Sequence, residues 1–170
     1  LTKKAQKTKL IKEVRRKANI AFGMFQTKEW KKLPELLKKL KQNPNSLEIH
    51  NEILKTNKST KERLQNYPLI YKKIIKNEKS ILDLGCGLNP ISYPYLNKKV
   101  EYHAYDLYTQ PIKEYFKIKN IKGTAKDIDL TNFHKFPKTD ICFLFKFLDS
   151  IDIKNHKPSE ELIKSISSKK

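Results

Sequence analysis

The stretch Ser80-Ile81-Leu82-Asp83-Leu84-Gly85-Cys86-Gly87-Leu88-Asn89-Pro90 decides how this chain is read. It opens as an apolar run of the kind that forms a strand buried in a parallel sheet. It then breaks into two glycines one residue apart and ends in Asn89-Pro90, where Asn suits a helix cap and Pro a first helical turn. A strand, a glycine turn and a helix start in succession let backbone approach a ligand closely, as in a nucleotide-type cofactor cradle.

Upstream, a helix from Tyr67 to Lys76 leads into that strand, and Ser59-Thr60-Lys61-Glu62 reads as a capping box for the turn before it. Capping does not explain Arg63, whose guanidinium suits a ligand carboxylate. Downstream, Val100–Asp106 reads as a second strand that ends in an acid 19 positions after Gly87. An acid so placed accepts from ribose hydroxyls. A helix over Ile112–Lys119 follows, then a third strand, Ile121–Asp127, ending in Asp127 and Asp129. Thr139–Phe145 reads as a fourth strand buried on both faces, with Lys146 at its carboxyl end, the side where open α/β sheets bind ligands. A last helix covers Ser159–Ile166. This alternation predicts an α/β fold with a Rossmann-like, doubly wound parallel sheet. Only four strands are visible, so the sheet reads as incomplete at the C-terminus.

The first quarter is different. The whole chain carries 37 Lys and Arg against 18 Asp and Glu, a net charge of +19. Residues 1–42 hold 14 of the basic residues and three of the acids, a net of +11, which leaves +8 for the other 128. A uniform lysine-rich drift does not produce that asymmetry. Leu10, Ile11, Val14, Ala18 and Phe22 recur at helical spacing, with Arg15, Arg16 and Lys17 on the other faces. A second helix from about Lys28 has the stripe Trp30, Leu33, Leu37 and Leu40, while Lys31 and Lys32 point elsewhere, and it begins or bends at Pro34. Ser46 caps a short helix through Leu54. Residues 1–56 thus read as a basic helical domain that grips nucleic-acid phosphate, and 57–170 as the cofactor domain.

Other classes fit poorly. No apolar run approaches a membrane span and no signal peptide opens the chain, so the expected location is cytoplasmic. Cys86 and Cys142 are too few for a disulfide framework, and neither they nor His50, His103, His134 and His156 have metal-ligand spacing. The chain begins at Leu1 rather than Met and ends on a basic Ser-Lys run, as a fragment would.

A dinucleotide fingerprint requires a third glycine three residues after the second, but Gly87 is followed by Leu88-Asn89-Pro90. Asp83-Leu84-Gly85-Cys86-Gly87 instead resembles motif I of the class I S-adenosylmethionine-dependent methyltransferases, and Asp106 and Asp127 complete that class's series of acidic positions. The resemblance narrows further. Ser59-Thr60-x-Glu62-Arg63, Ile81-Leu82-Asp83-x-Gly85-Cys86-Gly87-x-Asn89-Pro90, Tyr102-His103-Ala104-Tyr105-Asp106 and Phe145-Lys146-Phe147-Leu148 resemble, in order and spacing, the aminoglycoside-resistance 16S rRNA methyltransferases. That family methylates N7 of a decoding-site guanine. Asn57 stands where it commonly has histidine, and its chains continue for several strands past a position like Lys170.

The resemblance implies S-adenosylmethionine as cofactor, 16S rRNA within the small ribosomal subunit as partner, and no metal or membrane. Arg63 would hold the cofactor carboxylate, Gly85 and Gly87 would lie under its methionine part, and Asp106 would bind the ribose. Asp127 would meet the adenine amino group with Ile128 beside the ring, Asp83 and Asn89 would belong to the same site, and Phe145 and Lys146 would stand near the methyl and the target base. Lys146 is the expected catalytic residue, and Arg15, Arg16, Lys17, Lys31 and Lys32 are the expected RNA contacts. A non-catalytic ribosome- or RNA-binding protein that keeps the methyltransferase fold is the alternative reading.

Overall fold

The computed structural model describes residues 23–130, 135–146 and 157–166. Arg15, Arg16, Lys17 and the first expected helix lie outside the described residues. Four parallel strands form one sheet in the order β3-β2-β1-β4: β1 Ser80–Leu84, β2 Glu101–Asp106, β3 Gly123–Asp127 and β4 Ile141–Phe143. Central β1 pairs with β2 (Asp83 opposite Ala104) and with β4 (Asp83 opposite Phe143), so the motif strand lies inside the sheet.

Alternation along the strands divides the core. Ile81, Tyr102, Ala104, Ile141 and Phe143 face one layer, which is built from α1 (Leu33–Gln42), α2 (Leu47–Lys55), α4 (Tyr67–Ile74) and α5 (Gln110–Lys119). Leu82, Leu84 and Tyr105 face the other layer with Leu130 and with Leu162 of α6 (Lys157–Ser165). The expected parallel sheet covered on both faces is therefore present. β4 is shorter than expected, and Cys142 within it is only half-buried, because on that side it meets the smaller of the two clusters.

Local sequence explains most boundaries. The second expected helix opens as a 3-10 turn, Lys28–Lys32, under a Thr27 side-chain cap and becomes α-helical at Leu33, with Pro34 in the first turn where its missing N–H costs nothing. Leu33, Leu36, Leu37 and Leu40 then form its buried stripe. Ser46 caps α2 as expected, accepting from the Ile49 amide. The capping box is corrected. The short helix α3 (Lys58–Arg63) is capped by Asn57, whose side chain accepts from the Ser59 and Thr60 amides. Thr60 is buried and donates to the Leu54 carbonyl, Ser59 turns to Arg63, and Glu62 points elsewhere. The asparagine thus performs the cap that a hydroxyl was expected to perform.

The α1–α2 hairpin is fastened to the sheet layer by polar contacts as well as by apolar packing. Buried His50 lies between the Ser46 carbonyl (2.7 Å) and the Tyr115 hydroxyl of α5 (3.2 Å), and burial lowers its pKa. Lys119 at the end of α5 donates to the Pro44 carbonyl at 2.7 Å and to the Asn45 side chain at 2.8 Å. No helix among the described residues is long and apolar enough to cross a membrane.

At the start of β3, Gly123 has φ 141°, and a Cβ there would lie 1.9 Å from the Tyr102 carbonyl oxygen. The β2–β3 pairing brings backbone where a side chain would stand. Gly123→Ala is expected to destabilise the fold by at least about 2 kcal/mol, read as a lowered denaturant midpoint at unchanged slope.

Candidate functional site

The carboxyl ends of β1, β2 and β4 meet the N-terminal side of α4 at one place, and the motif residues collect there. After Leu84 the chain turns through Gly85 (φ 64°) and Gly87 (φ 49°), left-handed conformations that glycine adopts without strain. The Gly85 amide donates to the Tyr105 carbonyl at 2.8 Å, which closes the turn against β2. The Asp106 carboxylate, at the end of β2, accepts the Gly87 amide at 2.8 Å and so ties the two strand ends together. Burial raises the pKa of Asp106, opposed by bonds from the backbone amides of Gly87, Leu107 and Tyr108.

Asn89 does not cap the 3-10 helix Asn89–Leu96, as its place before Pro90 predicted; Leu88 holds the cap position. Its side chain is turned inward and fully buried. The amide NH2 donates to Asp83 (2.9 Å) and to the Tyr102 hydroxyl (3.2 Å), and the amide oxygen accepts from the Tyr67 hydroxyl (2.9 Å) and Arg63 (3.5 Å). A buried asparagine with both donors and its acceptor engaged joins four elements, which a cap would not do. Tyr102 also donates to Asp83 at 2.6 Å. Asp83 is buried on the inner strand, and desolvation pushes its pKa up to about 6 despite the bonds from Tyr102 and Asn89.

Arg63 ends α3 above this cluster. Its guanidinium lies 4.8 Å over the Phe145 ring and 5.9 Å from the Tyr67 ring centre, and it donates to the Ser59 hydroxyl at 2.7 Å. Ring stacking continues through Phe145–Phe143 (4.9 Å), Phe143–Tyr71 (6.0 Å) and Tyr71–Tyr67 (5.5 Å), closing a circuit that returns to Arg63. Two buried polar atoms of this cluster have no partner among the described residues: Arg63 Nε and Asp83 Oδ1. An orphaned guanidinium N–H at the carboxyl end of a parallel sheet, beside a glycine turn, fits a carboxylate-bearing cofactor.

The structure brings Arg63, Asp83, Gly85, Gly87, Asn89, Asp106 and Phe145 together at this end of the sheet. Asp127 stands at the end of edge strand β3, and its oxygens are already engaged. Oδ1 accepts the Thr109 amide (2.6 Å) and hydroxyl (2.8 Å) at the head of α5, and Oδ2 pairs with Lys113. Burial alone would raise its pKa, but Lys113 and Thr109 outweigh that and lower it. The Ile128 amide donates to the Asp106 carbonyl at 2.7 Å, which holds the ends of β2 and β3 together. Lys146 follows β4 with φ 55° and pairs with Glu62. Lys31 and Lys32 are exposed on the 3-10 turn Lys28–Lys32, with Lys32 paired to Glu29. Neither thiol is poised as a nucleophile: burial pushes the Cys86 pKa well up and that of Cys142 to about 12.

Sequence reading missed Ser59, Tyr67 and Glu62 as parts of the site. Tyr67 and Tyr71, four apart on one helix face, were the available signal; Glu62 and Lys146 are 84 residues apart and gave none. The Leu107 and Tyr108 amides bond the Asp106 carboxylate while their side chains are exposed, with no local pattern to mark them.

Neither a family model nor a curated protein sequence matches the chain. Solved structures do. The 16S rRNA methyltransferase RmtF, crystallised with S-adenosyl-L-homocysteine, superposes with a TM-score of 0.76 at 22% identity over 92% of this chain. The 16S rRNA methylase RmtB gives 0.76 at 20% over 95%, and an rRNA methylase from Escherichia coli gives 0.67 at 22% over 79%. This chain spans 62%, 66% and 57% of their respective lengths. The described residues therefore have the class I methyltransferase fold.

Asp83 supplies a test of the cluster. Its folded pKa lies above the 3.8 of a free aspartate, so the native state binds the extra proton and stability falls as pH rises from about 4 to about 6. Asp83→Asn should remove that part of the slope, worth up to about 3 kcal/mol across the window, in unfolding curves of both proteins at matched pH. Asn89→Ala should lower stability by about 2–4 kcal/mol, because it removes one hydrogen-bond partner from each of Asp83, Tyr102, Tyr67 and Arg63.

Proposed function

We propose that this chain is the cofactor-binding body of an S-adenosylmethionine-dependent rRNA methyltransferase that acts on 16S rRNA in the small ribosomal subunit, at N7 of a decoding-site guanine. One observation carries the reading. The half-buried Arg63 guanidinium is stacked on Phe145, its shielded Nε–H without a partner among the described residues, at the carboxyl end of a methyltransferase-type sheet whose glycine turn is tied to Asp106.

Arg63 binds the methionine carboxylate, and Asn89 and Ser59 hold the guanidinium in place. Gly85 and Gly87 let the turn pass beneath the methionine part, with Asp83 supporting it from inside the sheet. Asp106 accepts from the ribose while its bond to Gly87 keeps it aimed. Ile128 lies beside the adenine, with Asp127 at the edge of that pocket. Bound there, S-adenosylmethionine supplies an electrophilic sulfonium methyl. Guanine N7 carries a free lone pair, so no residue has to remove a proton, and catalysis rests on alignment, worth up to about 7–11 kcal/mol. The guanine leaves its stack at a cost of a few kcal/mol. Phe145 walls the methyl side. Lys146 orients the guanine or holds a phosphate, since an ammonium beside a ring that gains positive charge would oppose transfer.

Residues 1–56, with Lys31 and Lys32 and the more N-terminal Arg15, Arg16 and Lys17, supply the phosphate grip, and 57–170 hold the cofactor. The cytoplasm is the place of work, and aminoglycoside resistance is the consequence the resemblance carries.

Calorimetry with S-adenosylmethionine tests the site: Arg63→Ala and Asp106→Ala should each weaken binding at least about tenfold, and affinity indifferent to both would overturn the assignment. The reaction is tested by labelled-methyl transfer from the full-length protein to intact small subunits, followed by mapping of the base. Label on a cytosine would refute the guanine-N7 reading.

A further inference from the structure

Two consecutive residues of α3 meet two consecutive residues of the turn after β4. Arg63 stacks on Phe145, and next to them the Glu62 carboxylate pairs with the Lys146 ammonium. The inner contact is half-buried and aromatic, and the outer one is an ion pair with each side chain about half exposed, 58% for Glu62 and 49% for Lys146. Lys146 lowers the pKa of Glu62, which favours the charged carboxylate. An acid at this mouth is out of keeping with a chain of net charge +19 that, on the reading above, receives a polyanion here. Its carboxylate would repel the incoming phosphates, and its interaction with Lys146 is of the exposed kind, which contributes little to stability.

We propose that Glu62 is a positioning residue for Lys146: it holds the ammonium against α3 in the RNA-free protein and yields it to an RNA phosphate on binding. This inference rests on the rRNA-methyltransferase reading. Phosphate oxygens accept charge-assisted hydrogen bonds as a carboxylate does, so the exchange replaces one exposed anion with another. The arriving strand also brings further contacts that Glu62 cannot match. The left-handed backbone at Lys146 (φ 55°) sets the direction in which the side chain leaves the strand, and Phe145, clamped under Arg63, keeps that point fixed while the ammonium changes partner.

The test is a double-mutant cycle on the full-length protein with saturating S-adenosyl-L-homocysteine, measuring affinity for intact small ribosomal subunits at fixed salt. Glu62→Gln should tighten binding about two- to fivefold, and should give a clearly smaller gain in the Lys146→Ala background, where only the repulsion is relieved. An equal gain in both backgrounds would mean simple removal of a repelling charge and would overturn the proposal. So would no gain, or a loss, with Lys146 present. Thermal unfolding of each variant should match the parent, which separates the effect from damage to the fold. Parent protein that binds S-adenosyl-L-homocysteine but fails this cycle refutes the exchange alone, whereas a parent that binds neither cofactor nor subunits refutes the function and the exchange with it.

Discussion

The site depends on the buried hydrogen bonds among Asp83, Asn89 and Tyr102. Asp83 lies on the central strand, Tyr102 on its neighbour and Asn89 at the head of the following 3-10 helix, so one cluster holds the glycine turn against two strands. From the far side of Asn89 the bonds continue to Tyr67 and Arg63, and therefore to two helices that precede the sheet in sequence. A carboxyl in an apolar layer is costly to desolvate, and that cost shows in its raised pKa. What offsets it is a network satisfied on nearly every side. The two atoms left without partners among the described residues, Asp83 Oδ1 and Arg63 Nε, belong to the residues that the proposed function places against the cofactor.

Around that network the other contacts act as walls and ties. The aromatic circuit from Tyr67 through Tyr71, Phe143 and Phe145 gives Arg63 a rigid bed on which the guanidinium stacks. Asp106 and Ile128 tie the ends of the first three strands to one another. Asp127 serves the fold first, through Thr109 and Lys113 at the head of α5. Phe145 and Lys146 are presented together by the single turn that follows β4.

Much of this was legible in the residues. Strand β1, the glycine turn, the acid at the end of β2 and the helix breaks at Pro34 and Ser46 all follow from local patterns, because apolar periodicity, glycine and proline act over a few residues. Two local rules misdirected. Ser59 and Glu62 have the spacing of a capping box, yet Asn57 is nearer the helix start and offers a better acceptor, so the hydroxyls turned to Arg63 and Leu54. Asn89 has the look of a cap before Pro90, yet its side chain turns inward to four polar partners instead of a helix-end amide.

The amino-acid sequence by itself determined the parallel α/β architecture, the concentration of positive charge toward the N-terminus and the identity of the residues at the strand ends, since each is written in spacing or composition. Only the tertiary structure decided which of those residues meet. Glu62 reaches Lys146, Tyr67 reaches Asn89, His50 reaches Tyr115 and Asp127 reaches Thr109 across separations of 18 to 84 residues. Nothing local in either partner encodes such a meeting. It is set by the order β3-β2-β1-β4, which brings the carboxyl ends of distant strands beneath the helix that carries Arg63.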